Sequence, residues 1–264
     1  MSILACPVCQ KTLLEGETGF SCPSGHSFDK AKGGYVNLLQ NAKGQHGDNR
    51  LMLDGRRRFL EAGYYEKLRN AVACAAKKHL PSDAVLLDVG CGEGYYTEAL
   101  AREVATVYGF DVSRDAVRSA AKRKCGAHLF VGSAYAMPVL DGSVDGLTLL
   151  FSPFCREEIL RALKPHGILI MAIPGVRHLF GLKKAIYDTP YENRVGDTNI
   201  EGLTLLSRES IKGEITLKTN EEIVSLFSMT PYYYKTSKAD HEKLSKLEHL
   251  VTEIEFELLV YQKI

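Results

Sequence analysis

Two groups of residues have the types and spacing that chemistry needs. The first is Cys6-Pro7-Val8-Cys9, followed after twelve residues by Cys22-Pro23-Ser24-Gly25-His26. Three thiols and an imidazole in two close pairs are the ligand layout of tetrahedral zinc. Protein fills all four positions, so Cys6, Cys9, Cys22 and His26 are expected to hold one structural Zn2+ per chain, with none left open for water. Gly25 and the prolines suit tight turns at each pair, and Gly16 and Gly19 suit a hairpin bend between them. A segment of about 35 residues cannot bury enough core to fold alone, so a metal staple is physically expected. A redox Cys-x-x-Cys would sit where a strand of a βαβ unit meets its helix, and this N-terminus has no such unit. Phe20, Phe28, Tyr35 and Val36 are expected to pack around the metal turns, with Tyr35–Leu39 leaving as a strand.

The second group is Val85-Leu86-Leu87-Asp88-Val89-Gly90-Cys91-Gly92-Glu93-Gly94. An apolar strand ends in an acid, and glycines at alternate positions then lead into a helix starting at Tyr95. Such a turn lets a ligand lie against bare backbone. A dinucleotide fingerprint would put its third glycine at position 95, where Tyr95 is too large for close helix–strand packing. The pattern fits S-adenosylmethionine (SAM), which has an amino-acid moiety and no pyrophosphate. Asp88 is read as facing its ammonium through water. Gly90, Cys91, Gly92, Glu93, Gly94 and Tyr95 form the loop around its methionine and ribose. Asp111, 23 residues after Asp88, is placed to accept both ribose hydroxyls. Ser133 and Ala134, after the third strand, are placed at the adenine.

The acceptor side is less marked. Phe151-Ser152-Pro153-Phe154-Cys155 follows the fourth strand, where methyltransferases face the transferable methyl. Its Ser-Pro-Phe is an imperfect version of the short aromatic motif that receives a nitrogen nucleophile, which makes Phe154 a catalytic candidate. Cys155 invites a pyrimidine-C5 nucleophile, but that chemistry uses a Pro-Cys dipeptide and Phe154 intervenes; a plain thiol is the other reading. Arg177 and His178, after the fifth strand, belong on the rim of the same face. His178 is a candidate both for catalysis and for cofactor binding. Arg56, Arg57 and Arg58 suit phosphate contacts and base stacking, and equally suit an exposed helix face. Tyr232-Tyr233-Tyr234-Lys235 could stack bases or simply pack.

The elements that must position these residues alternate in the manner of a parallel α/β sheet. Strands are expected at Val85–Val89, Thr106–Phe110, His128–Val131, Gly146–Leu150 and Gly167–Ile173. Helices are expected at Tyr95–Glu103, Arg114–Lys124 and Arg156–Leu163. The fold class is α/β: a Rossmann-like SAM-dependent methyltransferase sheet with a small N-terminal zinc-binding domain. Residues 1–36 form the zinc module, 37–80 a linker and bridging helices, and 81–264 the methyltransferase domain, within which 180–218 is a substrate lid. Gln40–Asn49, with Lys43 and His46, reads as a loop. In Arg50–Gly63 the apolar face is expected from Leu51, Leu53, Phe59 and Leu60. In Tyr64–Leu80 it comes from Leu68, Val72, Ala75 and Ala76, with Cys74 as core. Short strands are expected at Leu203–Leu206 and Glu214–Leu217, a helix at Asn220–Phe227, and a terminal strand alternating through Ile254, Phe256, Leu258 and Val260.

With 264 residues, 45% of them hydrophobic, there is room for one large domain and one small one. No apolar run approaches the roughly 20 residues needed to span a bilayer, and Met1–Cys6 lacks the features of a signal peptide. A cytoplasmic, reducing setting is therefore expected, and no disulfides among the 7 cysteines. Net charge is +1, yet residues 1–78 carry 12 Lys/Arg against 7 Asp/Glu, while the remainder carries 21 against 25. The basic excess lies ahead of the catalytic domain, which is mild support for a polyanionic partner there.

Taken together these features resemble the bacterial 23S rRNA (guanine-N1)-methyltransferases, the RlmA-like family with an N-terminal zinc module. The resemblance rests on Cys6, Cys9, Cys22 and His26; on Lys32-Gly33-Gly34-Tyr35-Val36-Asn37-Leu38-Leu39; on Asp88 through Thr97; on Pro174-Gly175-Val176-Arg177-His178-Leu179; and on Met229-Thr230-Pro231. It implies SAM-dependent N1-methylation of a guanine of the 745 or 748 type, in a hairpin loop of domain II of 23S rRNA near the peptide exit tunnel. It also implies a homodimer whose zinc modules help form the RNA cleft, and consequences for macrolide-type antibiotics. The alternative is a small-molecule SAM methyltransferase with a structural zinc knuckle.

Overall fold

A computed structural model describes residues 2–40, 50–233 and 236–264. The expected loop 41–49 and the Tyr234-Lys235 end of the tyrosine run lie outside them. Chain order begins with β1 (Leu14–Glu15), β2 (Gly19–Ser21) and β3 (Ser27–Asp29), an antiparallel sheet of three short strands. β4 (Val36–Asn37), α1 (Arg50–Glu61) and α2 (Glu66–His79) follow. The α/β region runs β5 (Val85–Val89), α3 (Tyr95–Glu103), β6 (Thr106–Asp111), α4 (Arg114–Ala121), β7 (His128–Val131), β8 (Val144–Leu150), α5 (Arg156–Ala162) and β9 (Leu163–Pro174). The chain finishes with α6 (Phe180–Ile186), β10 (Leu203–Leu217), α7 (Asn220–Ser228), α8 (Lys238–Ser245) and β11 (Leu250–Lys263).

Eight strands make one sheet in the order β10-β11-β9-β8-β5-β6-β7-β4. The strands from β9 to β4 run parallel, while β11 and β10 add antiparallel at the other edge. From β5 the chain goes outward to β6 on one side and later returns to β8 on the other. That reversal opens a crevice at the carboxyl end of β5, the usual ligand position in such sheets. Both faces are covered. Leu86 turns to the side packed by Leu68, Val72 and Ala76 of α2, whereas Leu87 and Val89 turn to the side holding Ile159 and Ala162 of α5. Fully burying each such Leu or Val contributes about 1.5–3 kcal/mol.

The N-terminal residues are built into this second face. Leu4 bridges Val139, Ala5 N donates to Pro138 O at 2.9 Å, and Leu140 N donates to Ile3 O at 2.8 Å. Ile3, Leu4, Cys6, Leu13 and Cys22 share a buried cluster with Phe110, Phe130 and Val139. The exit strand β4 is a sheet member, with Val36 opposite Phe130 and Asn37 opposite Val131. Tyr35 packs away from the metal turns, against Cys91, Val117 and Leu129.

Several expectations change. On α1 the buried residues are Met52, Leu53, Gly55, Phe59 and Leu60, while Leu51 is 54% exposed. Gly55 lets the helix sit on α7: a Cβ there would meet Ser228 Oγ at 2.3 Å. Cys74 is exposed rather than core, because α2 buries positions 68, 72 and 76 and position 74 falls about 200° around the helix from 72. The two short strands expected at 203–206 and 214–217 are one strand of 15 residues. β10 is an edge strand and largely solvated, so its polar middle needs no apolar alternation. That part of the expected 180–218 lid therefore belongs to the sheet, and 187–200 is the irregular segment.

Candidate active site and metal centre

The four metal ligands come together as their spacing demands. Their ligating atoms all lie within 4.8 Å of one another. Cys22 Sγ is 3.3 Å and Cys6 Sγ 3.5 Å from His26 Nδ1, and Cys9 Sγ is 3.6 Å from Cys22 Sγ. A zinc–sulfur bond of about 2.3 Å in a tetrahedron puts ligand atoms at about these separations. The backbone N–H of Lys11 and the His26 ring draw the Cys9 thiol down to about 6, toward the thiolate a metal needs, while burial pushes Cys6 up. Cys6, Cys9, Cys22 and His26 fit a closed structural zinc site.

The crevice beside β5 is a cavity of about 770 Å³. Glycine is obligatory at its floor. Gly90 has φ +70°, and a Cβ there would stand 1.9 Å from Ser152 Oγ, which itself donates to Val89 O at 2.8 Å. Asp88 is buried and accepts from Thr97 Oγ1 at 2.6 Å and Thr148 Oγ1 at 2.7 Å. Burial pushes its carboxyl pKa up, against the pull of those two hydroxyls. Asp111, at the end of β6, is oriented by the N–H of Gly92 at 3.1 Å and of Ser113 at 2.8 Å. Asp88, Gly90, Cys91, Gly92, Glu93, Tyr95, Asp111, Ser133, Ala134 and His178 all line this cavity. Gly94 instead is the left-handed N-cap of α3 and lets the helix approach Ala120 and Arg123.

Glu93 closes one side. Arg123 binds its carboxylate and its carbonyl and also reaches Glu98 and Glu61. Glu93 Oε1 and the Tyr96 hydroxyl are buried polar atoms without a protein partner, as expected of a wall that meets a polar ligand. The donor set and bare-backbone floor fit SAM.

His178 is neutral and directional. Its Nδ1 accepts from the N–H of Glu255 at 3.3 Å, which puts the ring proton on Nε2, 3.3 Å from the Tyr65 hydroxyl. Burial holds its pKa down at about 3. The imidazole therefore donates and offers no spare lone pair to a substrate proton.

The acceptor side is arranged differently from the sequence expectation. Phe151 and Pro153 line the cavity, and Phe151 is held at φ +63° with its ring half exposed. Phe154 lines instead an adjoining groove of about 740 Å³, whose wall shares Pro174 with the cavity. Cys155 lines neither; it N-caps α5, with Sγ 3.9 Å from Glu157 Oε2. Of the four arginine candidates only Arg56 reaches the cavity. Arg57 is exposed, Arg58 pairs with Glu221 at 2.9 Å, and Arg177 pairs with Glu253 at 2.9 Å and Glu192 at 3.1 Å.

Residues not named as site residues from the sequence also line the cavity: Tyr65, Met52, Tyr96 and the rim Met229-Thr230-Pro231-Tyr232. In the sequence the rim enters only through the family resemblance at Met229-Thr230-Pro231 and the tyrosine run that Tyr232 opens, neither of which places it at the cofactor crevice. Tyr65 sits between two helices, outside either apolar repeat.

Comparison with known proteins agrees with this geometry. Residues 4–43 match the model described as "RlmA, N-terminal", and residues 87–171 match the model of a methyltransferase domain. A protein of Micromonospora griseorubida, provisionally named 23S rRNA (guanine-N(1)-)-methyltransferase, is 31% identical over 89% of this chain and 88% of its own. The chain belongs to the 23S rRNA (guanine-N1)-methyltransferase family. The 23S rRNA (guanine(748)-N(1))-methyltransferase of Streptomyces fradiae is 32% identical over 69% of this chain and 67% of its own. Among solved structures, the [4+2]-cyclase SpnF superposes with a TM-score of 0.50 at 21% identity, over 74% of this chain and 80% of that one. MccD does so at 0.50 and 16%, over 74% and 96%. These likenesses carry the Rossmann-like fold and nothing finer. As in the family, this is a SAM-dependent methyltransferase with a zinc ribbon at its N-terminus. Among the described residues no helix is long and apolar enough to cross a membrane.

Proposed function

We propose that the chain transfers the methyl group of SAM to N1 of a guanine in 23S rRNA, in the domain II hairpin loop and at a position of the 745 or 748 type. The carrying observation is the joint presence of the zinc ribbon and the SAM cavity in a chain of this family. The Streptomyces fradiae relative, named for guanine 748, supports the 748 type.

In this reading Asp111 holds the ribose, and Ser133 and Ala134 border the adenine. The Tyr65 hydroxyl, its oxygen accepting the Nε2–H of His178 and its own O–H left free to donate, serves the methionine end, where a neutral donor suits a carboxylate. Asp88, fixed by Thr97 and Thr148, faces the ammonium. The acceptor guanine leaves its stack and enters beside Phe151 and Pro153. N1 carries a proton at neutral pH, so in-line transfer requires its loss to a group or water at the mouth. The tautomer of His178 removes that residue from the role.

The family resemblance further supports a homodimer acting in the cytoplasm, with residues 1–36 as the RNA-facing module. Labelled SAM and unmodified large-subunit rRNA test the activity. N1-methylation blocks Watson–Crick pairing, so primer extension should stop one nucleotide before the modified base. Read-through, or label appearing on a small molecule, would refute the reading.

A further inference from the structure

The exposed large aromatics of the described residues are four: Tyr135 at 67%, Phe151 at 49%, Phe154 at 43% and Tyr191 at 52%. All four line either the donor cavity or the groove that adjoins it, Tyr135 and Phe151 in the first and Phe154 and Tyr191 in the second. Scattered exposed aromatics need no explanation, but concentration at one mouth does.

Tyr191 is also built from beneath. Lys183 has no exposed surface, and its ammonium lies 4.2 Å from the Tyr191 ring centroid. It donates to Tyr191 O at 3.0 Å and Asn193 Oδ1 at 2.6 Å. No carboxylate pairs with it among the described residues. Asn193 continues the tie, donating Nδ2 to Gly175 O at 2.9 Å and to His178 O at 3.2 Å. A buried ammonium is costly. Here it fixes one ring of an otherwise irregular segment, and that ring still has half its surface open to solvent.

The charges around the groove complete the picture. Glu192 is engaged by Arg177, and Asp197 Oδ1 accepts the N–H of Asn199 at 2.9 Å. Arg194 lines the same groove, is exposed, and makes no ion pair among the described residues.

We propose that this groove is a subsite for an unstacked RNA base next to the methylated one, stacked on Tyr191 and Phe154, with Arg194 on a neighbouring phosphate. Aromatic platforms of this kind take bases of single-stranded loops without reading sequence. Pro174 and the Pro153–Phe154 step separate this subsite from the methyl-transfer cavity, so two adjacent bases would enter two adjoining pockets. The inference rests on the rRNA reading and adds to it a second nucleotide site.

The test uses the full chain and a hairpin RNA carrying 2-aminopurine beside the target guanine. Binding of the unaltered enzyme should quench the 2-aminopurine, and Tyr191→Leu should abolish the quench. In steady-state methylation Tyr191→Leu and Phe154→Leu should each raise the KM for RNA roughly tenfold, the weight of one base–aromatic stack. Tyr191→Phe should leave it within about twofold, since the ring and not the hydroxyl does the stacking. SAM affinity by calorimetry should stay unchanged in all three. The subsite is refuted if the unaltered enzyme methylates the RNA with no quench, or if Tyr191→Leu binds SAM normally at unaltered KM. No methyl transfer to RNA by the unaltered enzyme would refute the parent reading instead.

Discussion

The zinc corner and the SAM cavity are built on opposite plans. The corner takes its four ligands from 21 consecutive residues, Cys6 to His26, and a turn positions each pair. The cavity draws on α1, the residue before α2, the ends of β5, β6, β8 and β9, and the rim after α7. One is specified by spacing along the chain and the other by the topology of a sheet. They meet at Phe110, which lines the cavity and packs in the same buried cluster as Ile3 and Cys6, and at one shared loop. Residues 133–135 line the cavity, and residues 138–140 of the same loop hydrogen-bond to Ile3 and Ala5 of the corner.

That junction gives the sharpest way to break the contrast. Removing zinc with a chelator, or by Cys9→Ser, should unfold the corner, since metal binding is worth on the order of 10 kcal/mol in small zinc modules. If the corner matters only to itself, SAM affinity will be unchanged. The shared loop predicts otherwise: proteolysis should first cut residues 2–30, and SAM affinity by calorimetry should then fall several-fold. An intact affinity after proven zinc loss would separate the two regions.

The next largest effect belongs to the cavity floor. Gly90→Ala places a Cβ against Ser152 at a positive φ, so it should cost at least about 2 kcal/mol and weaken SAM binding about thirtyfold or more. The double variant Gly90→Ala with Ser152→Ala should recover part of the loss by removing the closest atom. No recovery would mean that backbone strain, not the clash, sets the cost.

Legibility followed the same division. The ligands were readable because a metal needs donor types at short spacing, and Asp88 and Asp111 because they close strands of a sheet whose period is plain. Tyr65 and Thr148, and the place of the rim at 229–232 in the crevice, were not readable from residue types and spacing. Their contribution depends on which distant segments the topology brings to one crevice, and nothing local marks it. Phe154 follows the fourth strand, where a residue is expected to face the methyl, but the left-handed turn at Phe151 carries it into the next groove. β10 looked like two strands because an edge strand has no second neighbour to demand apolar residues in its middle.

His178 supplies a third test, now of stability against pH. Its pKa is held at about 3 in the folded chain against 6.5 in the unfolded one, so between these values the unfolded state binds the extra proton. Stability is therefore lost as pH falls below 6.5, and above that value this residue has no effect. Between pH 7 and pH 5 the loss from His178 alone should be about 2 kcal/mol in denaturant titrations. His178→Asn should flatten that segment of the curve while lowering SAM affinity. An unaltered slope would mean that the imidazole is solvated or charged, and the donor assignment to Tyr65 would fall.

The smallest effect separates the arginines. Arg58 and Glu221 pair in the open, 54% and 71% exposed, so Arg58→Ala should change stability by less than about 0.5 kcal/mol. Arg57, exposed without an ion partner among the described residues, should change it still less. If the basic stretch touches RNA, the two will differ in another measurement. Arg57→Ala should lower the slope of log affinity against log salt by somewhat under one unit, because a free guanidinium releases one counterion on meeting a phosphate. Arg58→Ala should lower it by less, since its charge is already partly neutralised by Glu221. Equal slopes for both variants and the unaltered chain would place Arg57 and Arg58 outside the RNA footprint. The acceptor would then be held by the cavity mouth and groove alone.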